Sequence, residues 1–189
     1  MLTNYTEAYL VILNSLPENP HLADVFKVYP KGVRPLLEFH DAILRGESAL
    51  TIGERELIAA FVSGLNNCNF CFNAHQKLAV DFGIESSLLE SLLDDIDNSN
   101  IEDTFKPILR YVKKLTLTPT KLIQEDIDSI LAAGHQGDII YDAVIICGLF
   151  NLMNRIVEGM GVVQGSSIMS EKPNKVSNYL DFGRMIGVI

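Results

Sequence analysis

The chain has 189 residues, 48% of them hydrophobic and 21% charged, with a net charge of −9. That acidic balance excludes a phosphate-tracking nucleic-acid binder, which needs clustered Lys and Arg, while the high apolar share predicts one sizeable core and further surface buried against other copies of the chain. The sequence shows no run of about 18 apolar residues and no basic-then-apolar N-terminal stretch. With three unevenly spaced cysteines, it predicts a cytoplasmic protein without a membrane span or a disulfide scaffold.

Residues 4–16 carry Tyr5, Ala8, Tyr9, Val11, Ile12 and Leu13 and suit a helix or a short extended segment, until Pro17 and Pro20 break the run. Residues 21–29 read as a short helix with Leu22, Val25, Phe26 and Tyr29 on one face. A helix over 33–44 follows, with Pro35 in its first turn and Leu36, Leu37, His40, Ile43 and Leu44 at helical spacing. His40 reads as a packed or half-exposed helix histidine. Thr51 and Glu54 form a capping box for a helix running to about residue 65, whose stripe is Leu57, Ile58, Phe61, Val62 and Leu65. Glu56 lies beside that stripe, either as a solvated first-turn carboxylate or turned inward.

Asn66 or Asn67 caps the next predicted helix, which runs to about Phe82 and is closed by Gly83. It opens with the C-x-x-C pair Cys68 and Cys71, and His75 shares a face with Cys71 at i, i+4. Two thiols at a helix start can close into a disulfide and reopen, and first-turn amides stabilise a thiolate. The same side chains offer three zinc ligands, but a closed structural site needs a fourth, and neither a second C-x-x-C nor a Cys-His pair is present. Buried cysteines without chemistry are the plainest alternative.

Further helices are predicted over 84–96, 104–115 and 122–133, with an acidic linker over 94–103. Asp138 is expected to cap a long helix to about residue 159, apolar on several faces and therefore central or in an interface. Cys147 reads as inert packing. Asn151, Asn154 and Arg155 interrupt the apolar surface, and the two asparagines either line a pocket or bond neighbouring backbone. Residues 166–189 read as a peripheral tail able to wrap a neighbouring subunit. No nucleotide or dinucleotide fingerprint occurs. The whole chain, 1–189, is thus expected to be a single all-α domain.

The pattern of Glu56, an apolar helix, Cys68, Cys71 and His75 resembles the alkylhydroperoxidase D-like / carboxymuconolactone decarboxylase superfamily, in its peroxidase-related branch. The resemblance continues through Phe82-Gly83, 115–119 and 142–161, where 149–156 reads L-F-N-L-M-N-R-I, and covers most of 30–165. It implies an alkylhydroperoxidase D-like helical bundle and a thiol-dependent peroxidase. In that cycle Cys71 is the attacking thiol, Cys68 resolves its sulfenic acid to a disulfide, and His75 with Glu56 relays protons. It also implies assembly into trimers or hexamers, with dimeric building blocks an alternative, no bound cofactor, and an external dithiol reductant such as a lipoyl-bearing protein. The best-known members carry a further histidine just before the nucleophilic cysteine. Phe70 stands there in this chain, so that part of their relay does not carry over, and Phe70, Asn151 and Asn154 are candidate pocket residues. The alternative activities are disulfide reduction with little peroxidase turnover and the superfamily's lactone or decarboxylase chemistry, which does not depend on a C-x-x-C pair. A helical oligomer with a vestigial site is the non-enzymatic alternative.

Overall fold

The computed structural model describes residues 13–162 and 178–189. Most of the predicted 4–16 element therefore lies outside the described residues. Among the described residues there are nine α-helices and no strand. They are α1 (Leu22–Val28), α2 (Val33–Leu44), α3 (Ile52–Leu65), α4 (Asn69–Asp81), α5 (Leu88–Asp94), α6 (Lys106–Leu117), α7 (Gln124–Ala132), α8 (Gly137–Gly159) and α9 (Tyr179–Ile186). The fold is an all-α bundle.

The centre of the bundle is α3. Its capping box is closed as the sequence predicts: Glu54 N donates to Thr51 Oγ1 at 3.2 Å, and Thr51 N donates to Glu54 Oε2 at 2.7 Å. The helix then runs buried from Arg55 to Ser63, because α4 packs along it on one side and α8, α6 and α5 cover the rest. The α4 helix ends where Gly83 adopts φ +97°, a left-handed conformation that costs glycine least.

Several boundaries differ from expectation. Asn66 closes α3 instead of opening α4, and Asn67 adopts a left-handed φ of 55° in the connection, a conformation Asn tolerates best after Gly. Cys68 is therefore the N-cap of α4. The expected 84–96 helix is shortened to α5, since turns occupy the residues before Leu88. Asp138 does not cap α8: Gln136 holds the extended N-cap position, and Asp138 lies in the first turn as a favourable helix-end charge.

The α8 helix departs from the sequence reading in a second way. It is long and apolar enough to cross a membrane, with a mean hydropathy of 1.5 over its most apolar window. In this fold it packs against α3, α6, α2, α4 and α7, the setting of a core helix. Tyr141 and Leu152 remain exposed on its outer side. The stretch read as a peripheral tail ends in α9, which packs on α2 of its own chain and buries Tyr179, Phe182 and Ile186. Asp41 fixes the start of α9 by accepting the backbone N–H groups of Tyr179 and Leu180.

Candidate active site

The pairing of α3 with α4 brings Glu56 and His75 together across 19 residues of sequence, with Glu56 Oε2 at 2.5 Å from His75 Nδ1. Glu56 is 0% exposed, so it is not a solvated first-turn carboxylate. Burial alone would push its carboxyl up. The His75 and Arg45 charges and hydrogen bonds outweigh burial and hold it below the usual carboxylate range. An ionised carboxylate only accepts, so His75 Nδ1 carries the hydrogen and donates it, and in the neutral ring Nε2 keeps its lone pair. The Phe150 ring from α8 meets the imidazole edge-on, 4.4 Å between centroids.

The other Glu56 oxygen is held by residues that sequence reasoning missed. Arg45 Nη1 lies 2.6 Å from Oε1, and the Tyr179 hydroxyl donates to the same oxygen at 3.2 Å. Burial alone would lower the Arg45 guanidinium, but Glu56, helped by Tyr179 and Asp41, more than offsets it and leaves it raised. Burial, followed by the Glu56 charge, pushes the Tyr179 phenol well above its ordinary value, which keeps it a donor. The guanidinium lies 5.2 Å from the ring centroids of both Phe82 and Tyr179, a cation–π arrangement. Its side chain is only 9% exposed.

The loop after α2 aims Arg45 inward because Arg55 holds it from below. The buried Arg55 guanidinium donates through Nη1 to the carbonyls of Ile43 at 3.1 Å and Gly46 at 2.8 Å. A side chain at Gly46 would meet the Ala42 carbonyl oxygen at 2.3 Å, so this turn needs glycine. Arg45 Nη1 also donates to Leu44 O at 2.9 Å. His40, on the same helix, is buried against Phe150 and Tyr179 and donates Nδ1–H to Leu36 O at 2.8 Å.

Both motif cysteines are buried, and neither is in a disulfide. The hydrogen bond to Cys71, then burial and the nearby Glu158 carboxylate, push the Cys68 thiol far up, against the opposing pull of the Cys71 backbone N–H. As N-cap, Cys68 stands outside the first helical turn, whereas Cys71 occupies its third position. Glu158, near the end of α8, was not singled out in the sequence, where it reads as an exposed helix carboxylate. Among the described residues no group of three or more His, Cys, Asp or Glu is arranged to hold a metal ion.

The asparagines of α8 serve the end of α3. Asn154 is buried, donates to Ser63 Oγ at 3.0 Å and accepts from Asn66 Nδ2 at 2.9 Å. Asn151 donates to Cys147 O at 2.9 Å and accepts from Asn66 at 3.2 Å. They tie the Cys-bearing connection to α8. Phe70 is half-buried and packs against the core.

These features define a class of site: an all-α core that carries two buried thiols at a helix start and a buried Glu–His pair beside them. Residues 30–93 match the model of the carboxymuconolactone decarboxylase family. The uncharacterized protein YdfG of Bacillus subtilis (strain 168) is 25% identical over 138 residues, which cover 72% of this chain and 91% of that protein. Two crystal structures share the fold. One, an uncharacterized peroxidase-related protein from Silicibacter sp. TM1040, matches with a TM-score of 0.71 at 21% identity over 87% of each chain. The other is the alkylhydroperoxidase AhpD core of an uncharacterized peroxidase-related protein from Ralstonia eutropha JMP134, with a TM-score of 0.70 at 21% identity over 75% of each chain. These likenesses show an alkylhydroperoxidase D-like fold, with the match to the carboxymuconolactone decarboxylase family model confined to residues 30–93.

Proposed function

We propose that the chain is a thiol-dependent peroxidase in which Cys71 attacks, Cys68 resolves, and His75, oriented by Glu56, moves the proton. One observation carries the reading: the buried 2.5 Å contact between Glu56 and His75, one helical turn beyond Cys71. His75 and Arg45 together keep Glu56 ionised, so Glu56 acts as a fixed acceptor that sets the His75 tautomer and stabilises its charged form, and does not itself carry the proton.

His75 Nε2 takes the Cys71 proton, and the thiolate attacks one peroxide oxygen. An S–O bond forms, the O–O bond breaks, and the leaving alkoxide takes the proton back as an alcohol. Cys71 is then a sulfenic acid. The Cys68 sulfur attacks the Cys71 sulfur, the S–S bond forms, and hydroxide leaves as water with the proton that Cys68 gives up through Glu158. The raised Cys68 thiol suits this role, since a neutral thiol is a poor first nucleophile but becomes competent beside a carboxylate base. An external dithiol, such as a lipoyl group on a partner protein, reduces the disulfide and is itself oxidised to one. A cytoplasmic homo-oligomer is part of the proposal, resting on the apolar share of the sequence and the exposed Tyr141 and Leu152 of α8.

A second reading, thiol–disulfide exchange with little peroxide turnover, draws on Phe70, which puts an apolar ring where the best-known relatives have a relay histidine. Steady-state hydroperoxide consumption with a dithiol donor, run beside Cys71→Ser, separates the two. Peroxidase turnover that Cys71→Ser abolishes supports the first reading. Dithiol-driven disulfide reduction without peroxide consumption supports the second.

A further inference from the structure

The Arg45 guanidinium is used on one side only. Nη1 serves Glu56 and Leu44 O, while Nε and Nη2 are buried and have no hydrogen-bond partner among the described residues. Those two N–H groups lie on the same edge of the planar group and point in parallel, the fork that receives both oxygens of one carboxylate. Among the described residues, the carboxylates of Glu56 and Asp41 are already engaged. Glu56 gives Oε1 to Arg45 Nη1 and Tyr179, and Oε2 to His75. Asp41 is engaged by the backbone of Tyr179 and Leu180. Swinging Glu56 onto the open edge would break its contact with His75.

We infer that the Nε/Nη2 edge of Arg45 is a binding site for a monocarboxylate with an apolar body. The fork is held in advance, which removes much of the ordering cost of binding. The Glu56 pair, the Arg55-anchored loop and the two aromatic rings fix the guanidinium before any ligand arrives. The apolar preference follows from those rings. Phe82 lies against the guanidinium and is itself 43% exposed, so the apolar surface beside the buried fork continues to the outside of the protein. This deepens the peroxidase reading by giving it a substrate class, an organic hydroperoxide that carries a carboxylate, and to that extent it rests on that reading. The binding itself requires no turnover.

The experiment titrates the whole chain with butyrate and, separately, with butyramide, following the Arg45 Nε–H resonance assigned by its loss in Arg45→Lys. Butyrate should shift that resonance saturably, and butyramide should bind about tenfold or more weakly, because it offers one acceptor oxygen and no charge. Arg45→Lys keeps the positive charge facing Glu56 but lacks the fork, and should weaken butyrate about tenfold while the helical circular dichroism stays unchanged. Equal binding of butyrate and butyramide would overturn the inference in favour of plain apolar contact. An unmoved Nε–H at saturating butyrate would overturn it in favour of an edge served by structural water alone. No peroxide is present, so either failure leaves the peroxidase reading untouched.

Discussion

Acid should destabilise this protein through His40 between pH 6.5 and about 4. His40 is packed between Phe150 and Tyr179, and burial lowers its pKa from 6.5 to about 4, with the His75 charge adding to the shift and Leu36 O, Glu56 and Asp41 opposing it. Between those two values the unfolded chain binds a proton that the folded chain refuses, so stability falls as pH falls. The contribution is intact above the unfolded value, drains away between pH 6.5 and about 4, and changes no further below that. At about 1.4 kcal/mol per pKa unit, the loss over the window is about 3 kcal/mol. Urea unfolding of the wild type and of His40→Phe at a series of pH values isolates it, because other titrating groups are common to both proteins. The variant is offset at neutral pH, but its stability relative to wild type should rise by about 3 kcal/mol on going to about pH 4. A difference that stays flat with pH, or a His40 resonance titrating near 6.5, would refute the buried, neutral histidine.

Glu56→Gln should destabilise by about 3–5 kcal/mol in urea unfolding, because it leaves Arg45 buried without its counter-charge. Arg45→Met should cost less, since His75 Nδ1 and the Tyr179 hydroxyl still donate to the Glu56 carboxylate; equal losses would mean that these two hydrogen bonds do not make up for the guanidinium. Tyr179→Phe removes a donor at 3.2 Å from Glu56 but keeps the ring beside Arg45. A loss of about 1.5 kcal/mol is expected from the same melts, and no change would show that the hydroxyl is redundant.

Local chemistry was the most legible part of this chain. Thr51 and Glu54 announce the start of α3 because a capping box is complete within four residues, and the bounds of α2 follow from helical spacing behind a left-handed Gly32. The start of α4 was less so, because two successive asparagines both satisfy the cap pattern and only packing decides that Asn66 turns to Asn151 and Asn154. Cys68, Cys71, His75 and Glu56 could be named from spacing and resemblance, but the burial of Glu56 could not. A glutamate in the first turn of a helix has the same local signature whether it faces water or the core.

Arg45 and Tyr179 were hidden for a different reason. Arg45 sits at a helix end before Gly46, where a cation normally meets solvent, and it is held inward by Glu56, Phe82 and Tyr179 while Arg55 braces the carbonyls of Ile43 and Gly46. Tyr179 reaches Glu56 across 123 residues of sequence, from a short helix whose docking depends on Asp41. Neither contact leaves a local pattern, since each arises from tertiary packing.

The assignment of roles to the two thiols is tested most directly by trapping the first oxidised sulfur. Cys68→Ser and Cys71→Ser are exposed briefly to hydroperoxide, treated with a dimedone-type reagent and mapped by mass spectrometry. The account predicts a sulfenic-acid adduct on Cys71 in Cys68→Ser and almost none on Cys68 in Cys71→Ser, where burial still disfavours the Cys68 thiolate and the neighbouring His75 serves the other position. An adduct on Cys68 with none on Cys71 would reverse the roles, and no adduct in either variant would contradict the peroxidase account.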